Sequence, residues 1–258
     1  MKIAVLTKEV PDTWGDRTLD LETGLIVRGA GERVLDEICE RALELAMSHA
    51  DANEGTEVVV VMMAPAEAAA SVRRALALGA SSAVHIVDPE LVGADLGLTA
   101  EVLAAAVRRV GADLVITGDR STDGGGGVLA AMLAEHLRMP HLTGLSSVTI
   151  SDGEVSGTRI TDASTALLSA TLPAVVSVTE ALPDARMASF KNIIAAKKKL
   201  YETVSVAELG VSVDPGASAY AIVTAAAAAP PRAAGTTITD EGDAGIRLAQ
   251  YLIENRLA

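Results

Sequence analysis

Four short runs in the first half of the chain are apolar at nearly every position: KIAVLT (2–7), VVVVMM (58–63), AVHIV (83–87) and DLVITG (113–118). A strand with one wet face alternates apolar and polar residues, whereas a strand buried on both faces does not. Each run is followed by a segment of helical period, so the chain reads β–α–β–α–β–α–β–α. That grammar means a parallel, doubly wound α/β sheet with helices on both faces. Val34, Leu35, Ile38, Ala42, Leu45 and Ala46 recur at three and four, which predicts an amphipathic helix from Glu32 to about Ala50. Pro65 stands where the next helix would begin and Gly79 where it would end. Further helices are predicted over 96–110 and 128–138.

The pattern changes after Pro140. Residues 148–160 predict a hairpin turning at Asp152-Gly153, and 165–179 predict two strands separated by Pro173. These would extend the sheet with antiparallel strands. Residues 17–28 read as a small hairpin or extended excursion around Glu22-Thr23-Gly24. Residues 200–224 show no clear period. AAAAAPPRAAG (225–235) has the composition of a linker, and 241–257 carries Ile246, Leu248, Ala249, Leu252, Ile253 and Leu257 at helical spacing. The expected organisation is therefore an α/β domain over 1–224 and a C-terminal arm over 225–258.

Charge and composition exclude several functions. The chain has 34 acidic against 21 basic side chains, a formal net charge of −13, and nucleic acid and anionic lipid both call for a basic surface. No Trp, Tyr or Phe lies between Trp14 and Phe190, which makes that stretch poor for stacking bases, a second mark against nucleic acid. Cys39 is the single cysteine, which excludes an internal disulfide framework and a Cys-rich metal site. The start MKIAVLTKEV lacks signal-peptide character, and no apolar run reaches the roughly 18 residues of a membrane span. A cytoplasmic protein without membrane insertion is expected.

The strongest candidate site is Gly118-Asp119-Arg120-Ser121-Thr122-Asp123-Gly124-Gly125-Gly126-Gly127, placed between a buried strand and a helix. In open α/β sheets ligands bind beyond the carboxyl ends of strands. Consecutive glycines let backbone amides converge on an anion, and the following helix adds its N-terminal dipole. Position and composition point to a nucleotide phosphate, against the plainer reading of a flexible loop. The loop is neither G-x-G-x-x-G nor a Walker A motif, which disfavours an ordinary dinucleotide dehydrogenase or P-loop ATPase. No catalytic set emerges. His49, His85, His136 and His141 lack metal-ligand spacing, and His85 reads as a core or strand-end residue. Ser121 with Asp123 does not form a nucleophile elbow, and Cys39 reads as a buried, inert thiol. A binding or carrier protein fits better than a hydrolase.

A second feature is RMASFKNIIAAKKK (186–199), a basic island in an acidic chain that holds the only Phe. It reads either as a solvated helix with lysines at its C-terminal end or as a docking loop for an acidic partner with Phe190 as anchor.

Together with KIAVLTKEVPDT (2–13), VLDEICERALELA (34–46), MMAPAEAAASVRRALALGAS (62–81), TLPAVVSVTEALPDARMASFKNIIAAKKK (171–199) and PPRAAG (230–235), the glycine loop makes the chain resemble the β subunits of electron transfer flavoproteins, most closely those of the bacterial FixA type. The resemblance runs in order through nearly the whole chain. It implies an adenine-nucleotide-type fold paired with a larger α subunit, FAD held mostly by that subunit, and AMP buried in this one. It implies electron transfer from acyl-CoA and related dehydrogenases to a quinone oxidoreductase, as in fatty acid oxidation, with no catalytic residues of the subunit's own. Carried over by position, AMP would be lined by Leu6, by Asp36, Glu37, Ile38 and Cys39, by Met63, and by the loop from Gly118 through Val128 and Leu129. Amides around Asp123 to Gly127 would hold the phosphate, and Thr13 and Ile38 would form the wall toward the flavin. Phe190 would be the dehydrogenase anchor, followed by Lys197 and Lys198. Two departures stand out. Gly127-Val128-Leu129-Ala130 replaces a usual Gly-Gln-Val-Gly, and the signature hairpin reads Arg159-Ile160-Thr161-Asp162-Ala163-Ser164, with Ser169 where an acid is expected. Two other readings stay open: a nucleotide sensor of the same fold without flavin, and a bifurcating relative with a second FAD in the AMP site.

Overall fold

Branched side chains pack well on a pleated surface and lose freedom in a helix, and the Val- and Ile-rich runs form strands accordingly. The computed structural model describes residues 1–29, 31–213, 220–232 and 234–257. In chain order the strands are β1 (Lys2–Thr7), β2 (Glu9–Pro11), β3 (Arg33–Leu35), β4 (Glu57–Met63), β5 (Ser82–Ile86), β6 (Leu114–Gly118), β7 (His141–Ser151), β8 (Glu154–Thr161), β9 (Ser164–Thr171), β10 (Ala174–Val178) and β11 (Leu200–Val204). The α-helices are α1 (Glu37–Ala52), α2 (Ala69–Leu78), α3 (Leu96–Val110), α4 (Leu129–Leu137), α5 (Phe190–Ala196) and α6 (Ala244–Glu254). Nine strands form one sheet in the order β11-β5-β4-β1-β6-β10-β7-β8-β9, parallel from β11 to β7 and antiparallel beyond it.

The continuous apolar runs are explained by two cores. Ile3, Val5, Val58, Val60 and Met62 face Leu43, Met47 and Leu76 of α1 and α2. Ala4, Leu6, Val59, Val61 and Val115 face Leu103 and Leu133 of α3 and α4. Both parities of β1 and β4 are buried, so both are mainly apolar. The helix ends follow local chemistry. Asp36, Asp95 and Ser189 cap α1, α3 and α5 with their side chains. Gly79 ends α2 at φ 137°, where a Cβ would lie 2.6 Å from Met47 Cε. No helix among the described residues is long and apolar enough to cross a membrane.

Three sequence expectations are corrected. The helix does not start at Glu32, because Val34 and Leu35 belong to β3, paired antiparallel with β2, and Asp36 caps the helix behind them. The three-and-four spacing that included them is coincidental. The strand after Pro173 is not antiparallel. β10 lies between β6 and β7, parallel to both and buried along its whole length, so its AVVSV run obeys the same two-core rule as β1. Residues 200–224 do contain a regular element, β11, which pairs parallel with β5 at the sheet edge. With one strand neighbour and partly open faces, it needs no continuous apolar run. The excursion over 17–28 is closed by a single antiparallel bridge, Leu19 to Ile26. α6 buries none of its residues against the rest of the chain.

Candidate functional site

β1, β4 and β6 end on one rim of the sheet, and the glycine loop leaves β6 there to enter α4. Gly118 is the contact point. A Cβ on it would stand 3.0 Å from Ile38 Cγ2, so the missing side chain lets α1 begin against the end of β6. Asp36, fully buried, joins the two. Its Oδ1 accepts from Ile38 N (3.1 Å), capping α1, while its Oδ2 accepts from Thr122 N (2.8 Å) and Thr122 Oγ1 (2.9 Å). One carboxylate thus fixes a helix start and the loop together.

Asp123 turns inward. Its side chain is 2% exposed, with Lys8 Nζ 2.6 Å from Oδ1 and Arg28 Nη2 2.8 Å from Oδ2. Burial opposes its ionisation, but hydrogen bonds from Lys8, Ser121 and Arg28 prevail and hold the carboxyl well below the usual carboxylate range. The stabilisation this gives is complete above the unfolded value of about 3.9 and is lost only as pH falls through the lower folded value. Arg17 donates to the Thr122 carbonyl and to Thr122 Oγ1 (3.2 Å). Lys8, Arg17 and Arg28 therefore oppose two carboxylates, Asp36 and Asp123, and Arg120 offsets Asp119 at 3.4 Å. Four cations thus stand among Asp36, Asp119, Asp123 and Glu37 at this rim, in a chain of net charge −13.

The loop divides into an occupied and an open half. The amide of Gly124 donates to Asp123 Oδ1 (2.7 Å), and that of Gly125 to the Ser121 carbonyl (2.9 Å). The amides of Gly126 and Gly127 meet no acceptor among the described residues. Gly125 and Gly127 adopt φ 62° and 67°, in the left-handed region that favours glycine. The open half is exposed and leads directly into the first turn of α4. Such an array of free amides at a helix start suits an anion.

Most of the expected pocket residues converge on this rim. Leu6 is buried at the end of β1, Met63 is half-buried at the end of β4, and Glu37 is exposed in the first turn of α1. Thr13 is exposed in the excursion after β2, whereas Ile38 is buried behind Gly118. Asp123 has a further part. Its carboxylate faces Lys8 and Arg28, so its part is to hold the loop, and of the five amides from 123 to 127 those of 124 and 125 are already engaged. Lys8, Arg17 and Arg28 were missed. Each is a lone cation with no motif around it, and only the crossing of segments about the sheet brings them to the loop. Cys39 is buried, and its thiol is pushed up to about 12 by desolvation and by the nearby Asp36 charge. It is expected to resist iodoacetamide at pH 8 in the folded chain and to react fully in denaturant; fast native labelling would contradict that placement.

The basic island is likewise divided. Phe190 opens α5 and is 79% exposed, with Met187, Ile193 and Ile194 also exposed beside it. Lys197 and Lys198 are exposed, but Lys199 is turned inward and donates to the carbonyls of Leu76 (2.9 Å), Gly79 (2.8 Å) and Ala80 (2.6 Å) at the end of α2. Arg73 donates to the Ala196 carbonyl (2.8 Å), and Arg186 pairs with Glu44 (2.8 Å) and Asp51 (2.7 Å) on α1. The segment is thus clamped at both ends while its apolar side chains stay outside. His85 Nε2 donates to the Ala64 carbonyl (3.1 Å) and its Nδ1 hydrogen-bonds with Tyr201 Oη (2.6 Å), a satisfied core histidine as expected.

Fold and site together define an open, mostly parallel α/β protein with an anion-suited glycine loop at the carboxyl ends of its strands. The family model for the electron transfer flavoprotein domain matches residues 23–209. The chain is 43% identical over 263 aligned positions to the electron transfer flavoprotein subunit beta of Mycobacterium tuberculosis, covering 99% of this chain and 98% of the relative. It is 31% identical to the caffeyl-CoA reductase-Etf complex subunit CarD of Acetobacterium woodii, over 82% and 81% of the two chains. To the subunit beta of Sus scrofa it is 32% identical, over 73% and 74%. The chain belongs to the electron transfer flavoprotein β-subunit family.

Proposed function

We propose that this chain is the small subunit of a heterodimeric electron transfer flavoprotein that binds AMP at the glycine loop and helps enclose an FAD held mainly by the α subunit. The observation that carries the AMP part is the open half of the loop: free amides at Gly126 and Gly127, and left-handed glycines on either side of Gly126. A mononucleotide phosphate fits these groups, with Lys8 and Arg28 held behind it by Asp123. Thr13 is accessible to a flavin carried by the partner, and Ile38 supports that wall from behind Gly118. The bound flavin supplies one- and two-electron chemistry; the residues of this chain orient the nucleotide, shape the flavin wall and present a docking face. In this reading Phe190, Lys197 and Lys198 meet acyl-CoA-type dehydrogenases, and electrons leave toward a quinone oxidoreductase.

The test is to co-express the chain with its α subunit, denature the purified heterodimer and quantify released nucleotides. One FAD and one AMP per heterodimer are expected. Gly127→Val forces a β-branched residue to φ 67°, costing about 1–2 kcal/mol of local strain, and should lower AMP content severalfold while FAD is retained. Two FAD and no AMP would place a second flavin in this loop instead, and a colourless complex would leave a nucleotide-binding protein without flavin. Full AMP in Gly127→Val would move the phosphate elsewhere.

A further inference from the structure

Of the half-buried arginines, Arg28, Arg41, Arg73 and Arg186 each have a hydrogen-bonded or ionic partner among the described residues, and Arg159 in β8 is the exception. Its Nε is cut off from solvent and has no hydrogen-bond partner. A guanidinium cannot lose its proton, and a half-buried cation without an acceptor is unfavourable. The register explains why no partner comes from within. Arg159 stands opposite Leu145 on β7 and Ala166 on β9, both apolar.

A second observation lies on the neighbouring strand. β9 is the outer edge of the nine-stranded sheet, and its sequence STALLSAT carries no charge. Leu167 there is 84% exposed, and Ile160 next to Arg159 is exposed as well. Exposed edge strands are ordinarily protected by charge, proline or a covering element. This one has an unpaired backbone edge, exposed apolar side chains and an adjoining guanidinium that no carboxylate among the described residues meets. Those are the marks of a surface covered in the assembled protein by a partner that brings a negative charge.

We propose that the β8–β9 hairpin is a contact surface for the partner subunit and that Arg159 receives a carboxylate from it. The inference rests on the heterodimer reading above and adds the chemistry of one contact. The carboxylate approaches the guanidinium from the open side, satisfies the remaining donors, and is desolvated as Ile160 and Leu167 are covered. Arg159 then contributes to pairing, and in the unpaired chain it is a liability.

That gives the test opposite signs in two measurements. Arg159→Met keeps the apolar stem and removes the orphan charge. Loss of one member of a desolvated interfacial charge pair should weaken the heterodimer by about thirtyfold or more, measured by dissociation on dilution at low salt. Melting of the full β chain alone should occur at or above the wild-type temperature. Arg159→Lys, which keeps the charge and loses the fork, should weaken pairing less than Arg159→Met. Unchanged pairing of Arg159→Met in a system where the wild type pairs tightly would overturn the inference and leave the heterodimer reading intact. A lowered melting point of the lone chain would also overturn it, by assigning the guanidinium to the fold. If the wild-type chain does not pair with its α subunit, both the heterodimer reading and this inference fall together.

Discussion

Phe190→Ala is expected to leave the melting of the assembled flavoprotein within about 2 °C of wild type and to cut flavin reduction by a limiting partner dehydrogenase about thirtyfold. The first half follows from exposure. A side chain 79% open to solvent creates no cavity when truncated, and surface changes of that kind stay within about 0.5 kcal/mol. The second half follows from the docking role proposed for the segment. Phe190 stands at the start of a helix whose two ends are clamped, by Arg186 to α1 and by Lys199 and Arg73 to α2, so its position is set before a partner arrives. An aromatic anchor at the centre of a small interface commonly accounts for about 2 kcal/mol or more of binding. Charge reversal at Lys197 and Lys198 should act instead on association rate, with an effect that fades at high salt. Normal reduction kinetics in Phe190→Ala would end the docking role. A fall in melting temperature of about 10 °C would mean that the ring is covered and structural.

Asp36→Ala is expected to cost about 2–4 kcal/mol of stability, the largest effect of a single substitution in the site. Three donors lose their acceptor at a buried position: Ile38 N, Thr122 N and Thr122 Oγ1. A lost helix cap costs about 0.5–2 kcal/mol, and a buried donor left unsatisfied about 1–3 kcal/mol. Because the same carboxylate holds the loop, bound nucleotide should fall with stability. Asp36→Asn keeps one oxygen acceptor and should lose about half as much. Urea unfolding of Asp36→Ala, Thr122→Ala and the double variant separates cap from staple: coupling between the two sites should exceed about 0.5 kcal/mol. Additive effects, or a total cost below about 1 kcal/mol, would show that the loop is held by other contacts.

How much of this could be read in advance depends on how local each cause is. Burial on both faces shows in a strand's own residues, which is why VVVVMM and DLVITG announced parallel, covered strands, and why AVVSV could have done so had its continuity outweighed the hairpin before it. Capping is also local, and Asp36, Asp95 and Ser189 each precede their helix. The place of the glycine loop between β6 and α4 was legible because the strand before it and the helix after it each show their own local pattern. The exposed Phe190 was visible as an isolated aromatic, but composition alone could not separate exposure from burial.

Other features depend on which distant segments meet. Lys8 and Arg28 reach Asp123 across 115 and 95 residues, and Asp36 reaches Thr122 across 86. These meetings exist only because β1 is inserted between β4 and β6. Lys197, Lys198 and Lys199 are identical in composition and adjacent in sequence, yet only Lys199 faces the carbonyl end of α2. Arg159 resembles any strand arginine until the register places Leu145 and Ala166 opposite it. Periodicity and capping are set by neighbours within a few residues, and so are written along the chain. Ion pairing, loop anchoring and the orphaning of a charge are set by strand order and register, which no short stretch of residues contains.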